Sequence, residues 1–209
     1  MSQVSQVNFL AVEQNLFKRT DFELRGHPYW HNKWIPASID VGAVTMDSVP
    51  TKFLVYGNQQ IMALKPEGDS IFIPFQLVRE VRFYPSDGEV LRLVRQAHAD
   101  NKAGELFYTP HDGRYKLLIK PSCTLSLGSA ENGYSGRNYD EFIPNTETFI
   151  ALPGNEKLQK IKRNEKSLFK VLPEHEKEIR TYIKDNKLDL DKDMDLASVI
   201  AYYEKLEQQ

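Results

Sequence analysis

Two hydrophobic periods divide this chain of 209 residues. From about residue 37 apolar side chains recur at every second position. Phe53 and Val55 alternate with Lys52 and Leu54; Ile71, Ile73 and Phe75 share one face of another segment. Val81 and Phe83 alternate with Glu80, Arg82 and Tyr84, and Tyr115, Leu117 and Ile119 alternate with Arg114, Lys116, Leu118 and Lys120. One apolar and one more polar face is the pattern of half-buried antiparallel strands. Turn sequences separate these runs: Gly57-Asn58, Pro66-Glu67-Gly68-Asp69, Pro85-Ser86-Asp87-Gly88, Asp112-Gly113 and Pro153-Gly154-Asn155. Asp-Gly and Gly-Asn supply the positive φ angles that tight hairpins need. The runs are too short and too closely punctuated for crossover helices. Residues 128–146, polar and glycine-bearing, read as one long loop with a short strand around Tyr134.

After residue 160 the period becomes helical. Leu168, Phe169 and Leu172 fit a short turn of helix, and Pro173 is placed to start the next, with Glu174 and Glu176 near the positive end of its dipole. Ile179, Tyr182 and Ile183 give that helix its stripe. A last helix is expected from Asp193–Asp195, which can cap it, with Leu196, Val199, Ile200, Tyr203 and Leu206 on one face. At the other end, Phe9, Val12, Leu16 and Phe17 predict a short helix over residues 8–18, which Gly26-His27-Pro28 ends.

The expected fold is α+β: a mainly antiparallel β meander, as a curved sheet or partly open barrel, with a C-terminal helical pair. Residues 1–160 are expected to form the β body with its short N-terminal helical segment. Residues 161–209 are expected to pack on it as part of one structural unit.

Composition narrows the classes of function. A net charge of −2 offers no global basic field for nucleic acid. The single cysteine, Cys123, excludes an intramolecular disulfide and a multi-cysteine metal site. No apolar run reaches the length of a transmembrane helix, and the first residues lack the features of a signal peptide.

Both tryptophans fall in one short stretch, where Tyr29, Trp30 and Trp34 interleave with His27 and His31. Such rings can stack on a sugar or another flat ligand, or can anchor the segment to the sheet. These five residues are the candidate ligand-binding set. The four-residue spacing of the histidines would make a metal pair on a helix, but Pro28 opposes a helix there and no third ligand follows, so no metal is expected. Asp189, Asp191, Asp193 and Asp195 alternate as in a calcium loop, yet Met194 and Ile200 occupy the positions where such a loop needs Gly and Glu. Ser135 is not in a nucleophile elbow. Cys123 falls in an expected strand and reads as a buried, inert thiol. The run Lys157, Lys160, Lys162, Arg163, Lys166 and Lys170 is diluted by acids and reads as a solvated surface. No catalytic residue and no cofactor is expected from these patterns.

Three motifs carry a resemblance. Gly26-His27-Pro28-Tyr29-Trp30-His31-Asn32-Lys33-Trp34 resembles a G-x-P-Y-x-x-x-x-W/F opening, and Val49-Pro50-Thr51-Lys52-Phe53-Leu54-Val55-Tyr56 resembles a V-P-L-R-Y-x-x-Y strand. Tyr182-Ile183-Lys184-Asp185-Asn186-Lys187-Leu188 followed by Tyr202-Tyr203-Glu204-Lys205-Leu206 resembles a "YIKxNKL … YYxxL" tail. In this order they are similar to uncharacterised exported proteins of Bacteroidota, β-rich bodies with a helical tail. Thr51 and Lys52 depart from the Leu and Arg of the strand motif. The resemblance brings no active site. It implies a periplasmic or envelope location for the mature protein; without it a cytoplasmic location would be expected. The leading functional expectation is a non-catalytic envelope protein that binds a protein partner or small ligand. The alternatives are a hydrolase acting on glycans or lipids and a cytosolic assembly domain.

Overall fold

The structure, a computed structural model, describes residues 22–129 and 137–208. The helix expected over 8–18 and the strand expected around Tyr134 lie outside the described residues. Among the described residues the chain forms eleven strands and three helices, an α+β fold built on a mostly antiparallel open sheet. Among these residues no helix is long and apolar enough to cross a membrane. The chain divides into two compact units: residues up to Val90 with Pro121–Asn145, and Leu91–Lys120 with Thr146 onward.

In the first unit β2 (Ile35–Asp40) pairs antiparallel with β3 (Thr45–Leu54) on one side and β6 (Glu80–Phe83) on the other. β4 (Gln60–Leu64) and β5 (Ser70–Ile73) continue from β3 as hairpins. Ala37 and Ile39, Phe53 and the adjoining Val55, and Val81 and Phe83 are buried at alternate positions, while β4 buries Ile61, Met62 and Ala63 in a row. The period-two pattern therefore marks a real face. Gly68 and Gly88 take φ of 94° and 87° in their turns, the left-handed conformation that glycine tolerates best. The meander is broken once. After β5, Pro74 starts a turn closed by Leu77 N–H to the Pro74 carbonyl, and Arg79 N–H then donates to the Asp40 carbonyl. The next strand is thereby set beside β2 rather than β5.

β1 (Glu23–Arg25) pairs parallel with the start of β10 (Tyr139–Ala151). The long loop expected through residue 146 thus ends at Tyr139. Asp140 is 2% exposed and accepts the Gly128 N–H at 2.7 Å, and the Phe142 ring packs edge-on to Tyr56. The middle of β10, Ile143 to Glu147, turns mostly outward, which interrupts the alternation and hides the strand in the sequence.

In the second unit β7 (Leu91–His98) pairs with β8 (Asn101–Asp112), and β8 with the start of β9 (Lys116–Ser126). The end of β10 pairs with β11 (Gln159–Ile161). α1 (Glu165–Val171), α2 (Glu176–Asp185) and α3 (Asp193–Leu206) follow. Asn164 caps α1 by accepting the Ser167 N–H at 2.9 Å. α2 starts at Glu176, three residues beyond Pro173, so its first-turn acids are Glu176 and Glu178 rather than Glu174. α3 has Lys192 at its N-cap with no side-chain bond, because the expected caps are engaged elsewhere: Asp193 pairs with Arg163 and Asp195 accepts the Asp189 N–H. Leu196, Val199, Ile200 and Tyr203 are buried, as the stripe predicts.

Two polar anchors fasten α3. Its Glu204 lies 2.9 Å from His111 Nε2 and also accepts the Arg114 N–H. Its Glu207 accepts from Tyr115 at 3.3 Å and stands 3.4 Å from His175 Nε2. Gly113 does not adopt the positive φ expected of an Asp-Gly turn. It serves by lacking a side chain, since a Cβ there would lie 2.1 Å from Glu204 Oε2.

Candidate functional site

The aromatic stretch is a loop of bends laid along β3. Backbone hydrogen bonds hold it, among them Trp30 N–H to the Phe53 carbonyl at 2.9 Å, and Val55 and Tyr56 N–H to the Pro28 carbonyl at 2.9 and 3.2 Å. Gly26 gives the entry, with φ of 72° and a would-be Cβ 2.7 Å from the Phe142 carbonyl oxygen, so no larger residue fits without displacing backbone. Pro28 and Tyr29 are buried. The Trp30 ring sets its edge against Phe53 and Phe83, with centroids 6.4 and 6.3 Å away and planes near perpendicular, the favoured geometry of packed aromatic pairs. His31 tilts against Trp30 at 4.5 Å, and His27 stacks near Tyr29 at 6.4 Å.

The structure thus brings all five sequence-predicted residues into one neighbourhood and gives them unequal parts. Tyr29 and Trp30 anchor the segment. Trp34 reaches outward, half-exposed, and shares a cation with Tyr29: Lys52 Nζ lies 4.5 Å from the Tyr29 ring centroid and 5.2 Å from that of Trp34. Lys52 is the residue that stands where the strand motif has Arg. It is the member of this group that the sequence alone did not mark, and its signal was a cation at an alternate position of the strand the loop crosses.

The electrostatics centre on the histidines. Nδ1 of His27 and Nε2 of His31 are buried without a hydrogen-bond partner. Leaving a buried polar group unpaired costs about 1–3 kcal/mol. Burial holds the His31 imidazole below its ordinary titration range; the nearby His27 adds to this and Asp87 opposes it. The charged form of His31 is therefore disfavoured.

The other candidates resolve into structural roles. Cys123 is buried and its thiol is pushed up by burial, an inert state. The alternating aspartates tie turns: Asp189 accepts the Asp191 N–H at 3.0 Å and Asp195 the Asp189 N–H at 2.9 Å. Among the described residues no three His, Cys, Asp or Glu side chains converge as metal ligands would. Ser135 lies outside the described residues. In the basic run Arg163 is mostly buried. It donates to Thr148 Oγ1 at 3.1 Å and to the Asp191 carbonyl at 2.6 Å, and pairs with Asp193 at 2.6 Å. It is a tie within the second unit rather than part of a solvated face.

The second unit also holds an open cleft of about 550 Å³, lined by the end of β7 and the turn between β10 and β11. Gln96, His98, Lys102, Asn155 and Glu156 are its polar members. Nothing in the sequence marks them, because they come from segments more than fifty residues apart that only the pairing of hairpin tips brings together.

No family model, curated protein or solved structure matches the chain.

Proposed function

We propose that the protein is a non-catalytic envelope protein and that the His27–Trp34 segment is where it binds a small ligand or a protein partner. One observation carries the binding half: two imidazole nitrogens of the loop, His27 Nδ1 and His31 Nε2, are buried unpaired. Folded proteins pair nearly all their buried polar atoms, and exceptions concentrate at working sites. A ligand that shifts the loop and pairs these nitrogens recovers the desolvation penalty they carry. The half-exposed Trp34 ring and the Lys52 ammonium beside it offer a flat apolar face and a charge to receive it. The envelope half rests on the similarity of the three sequence motifs to exported Bacteroidota proteins.

Both tryptophans lie in the segment, so intrinsic fluorescence reports on it directly. A thermal-shift screen of small molecules is expected to give hits that also move tryptophan emission. Trp34→Ala should weaken those hits while leaving a folded protein. Hits that neither move the emission nor respond to Trp34→Ala would remove the segment as the site. For location, the native gene should encode a signal peptide or lipobox ahead of residue 1, and a native gene without one would remove the envelope assignment.

A further inference from the structure

We propose that the cleft between the end of β7 and the β10–β11 turn is a second binding site, for a neutral, hydroxyl-rich ligand of mono- or disaccharide size. This stands apart from the His27–Trp34 reading and shares no residue with it. The cleft's volume, about 550 Å³, falls within the range of small-molecule sites.

Its polar groups are oriented before any ligand arrives. His98 Nε2 faces Glu105 Oε2 at 3.4 Å, and Glu105 Oε1 accepts from Lys120 Nζ at 2.7 Å. Against a carboxylate Nε2 is the donor, so Nδ1 is left as the acceptor available to the cleft. The His98 ring is steadied from its other side by an edge contact with Phe107 at 6.4 Å. Asn155 spends its carbonyl oxygen on the Lys157 N–H at 2.8 Å, which leaves its amide nitrogen as a donor. Gln96 gives one amide N–H to the Ala97 carbonyl at 2.8 Å, which leaves its oxygen as an acceptor and its second N–H as a donor. Acceptors and donors side by side around one cavity match hydroxyls, each of which can give and take a bond.

The charges argue for a neutral ligand. Lys102 and Glu156 pair at 2.6 Å, and Glu105 is neutralised by Lys120, so the cleft presents no unbalanced charge. Ala97, Ala151 and Leu158 supply the apolar wall against which the C–H face of a sugar ring can lie. The same Lys102–Glu156 pair, with the Ala99 N–H to the Glu156 carbonyl at 2.9 Å, fixes the two hairpin tips that form the cleft.

The test is a titration of the isotope-labelled full chain with glucose, N-acetylglucosamine and maltose, and with glucuronate and glucosamine as charged counterparts. Neutral sugars are expected to shift the His98 imidazole nitrogens and the Asn155 side-chain amide, and to bind more tightly than the charged pair. His98→Ala and Asn155→Ala should each weaken binding about tenfold, the worth of one well-placed hydrogen bond, with the melting temperature little changed. The wild-type shifts decide the matter even if one variant folds poorly. No shift at His98 with any neutral sugar at millimolar concentration, or tighter binding of a charged sugar, would overturn the proposal. Shifts confined to the His27–Trp34 segment would overturn it as well, while supporting the first site.

Discussion

At the scale of single residues, the two tryptophans make a matched pair with opposite expected behaviour. Trp30 packs edge-on against two buried phenylalanines, so Trp30→Ala should cost roughly 3 kcal/mol, at the lower end for aromatic truncation because the ring is partly exposed. Trp34 meets the Lys52 ammonium, an interaction of about 0.5–1 kcal/mol, and Trp34→Ala should cost less than Trp30→Ala. Urea unfolding of both variants checks the contrast, and equal losses would contradict it. His31 makes a pH prediction. Its folded-state affinity for protons lies below that of the unfolded chain, whose histidine titrates near 6.5. The unfolded state therefore takes up the proton first, and stability falls as the pH drops below about 6.5 toward the folded value. His31→Phe should flatten that part of a stability-versus-pH curve. An unchanged slope would show that His31 is not the group responsible.

Among elements, α3 rests on both apolar and polar contacts, and the two can be separated. Gly113→Ala places a methyl where Glu204 Oε2 sits, so the carboxylate must leave His111 and the Arg114 N–H. The expected loss is about 1–3 kcal/mol, the worth of displacing a half-buried charged hydrogen-bond group, measured by thermal or urea unfolding. Asn164→Ala removes the α1 cap and should cost about 1 kcal/mol. Burial and the neighbouring Glu207 carboxylate hold the Tyr203 and Tyr115 hydroxyls above the ordinary value of 10. The folded state then keeps protons that the unfolded chain gives up, so stability should fall as the pH rises past about 10. Phenolate absorbance should show late-ionising tyrosines, of which Tyr203→Phe removes one. These elements also mark how far a sequence can be read. β3 and β6 were legible because their apolar residues fall on one buried face, and α3 because its stripe is unbroken over three turns. β10 was not, because its outward-facing centre breaks the period. The start of α2 falls three residues beyond Pro173, and α3 starts at Asp193 as expected but without the expected cap, because Asp193 and Asp195 are committed to Arg163 and Asp189.

For the molecule as a whole, α+β composition and antiparallel preference were readable, while the order of strands was not. The placement of β6 beside β2 depends on a turn after Pro74 that carries no distinctive pattern. The candidate segment was visible because both tryptophans fall in it; the cleft was invisible because its lining is assembled from distant turns. Both compact units are built from separated stretches of chain. Leu168, Ile179, Leu196, Val199 and Ile200 are core residues of the second, so a chain cut at residue 160 should lose that unit's cooperative unfolding rather than merely shed a tail. The proposed binding engages the buried, unpaired Nδ1 of His27 and Nε2 of His31 in the His27–Trp34 segment. The most direct test is nitrogen-15 spectroscopy of His27 and His31 in the full chain, titrated with a hit that shifts both melting temperature and tryptophan emission. The account predicts that His27 Nδ1 and His31 Nε2 both move to hydrogen-bonded shifts as the site fills. A hit that saturates while both nitrogens keep their free-state shifts would contradict it.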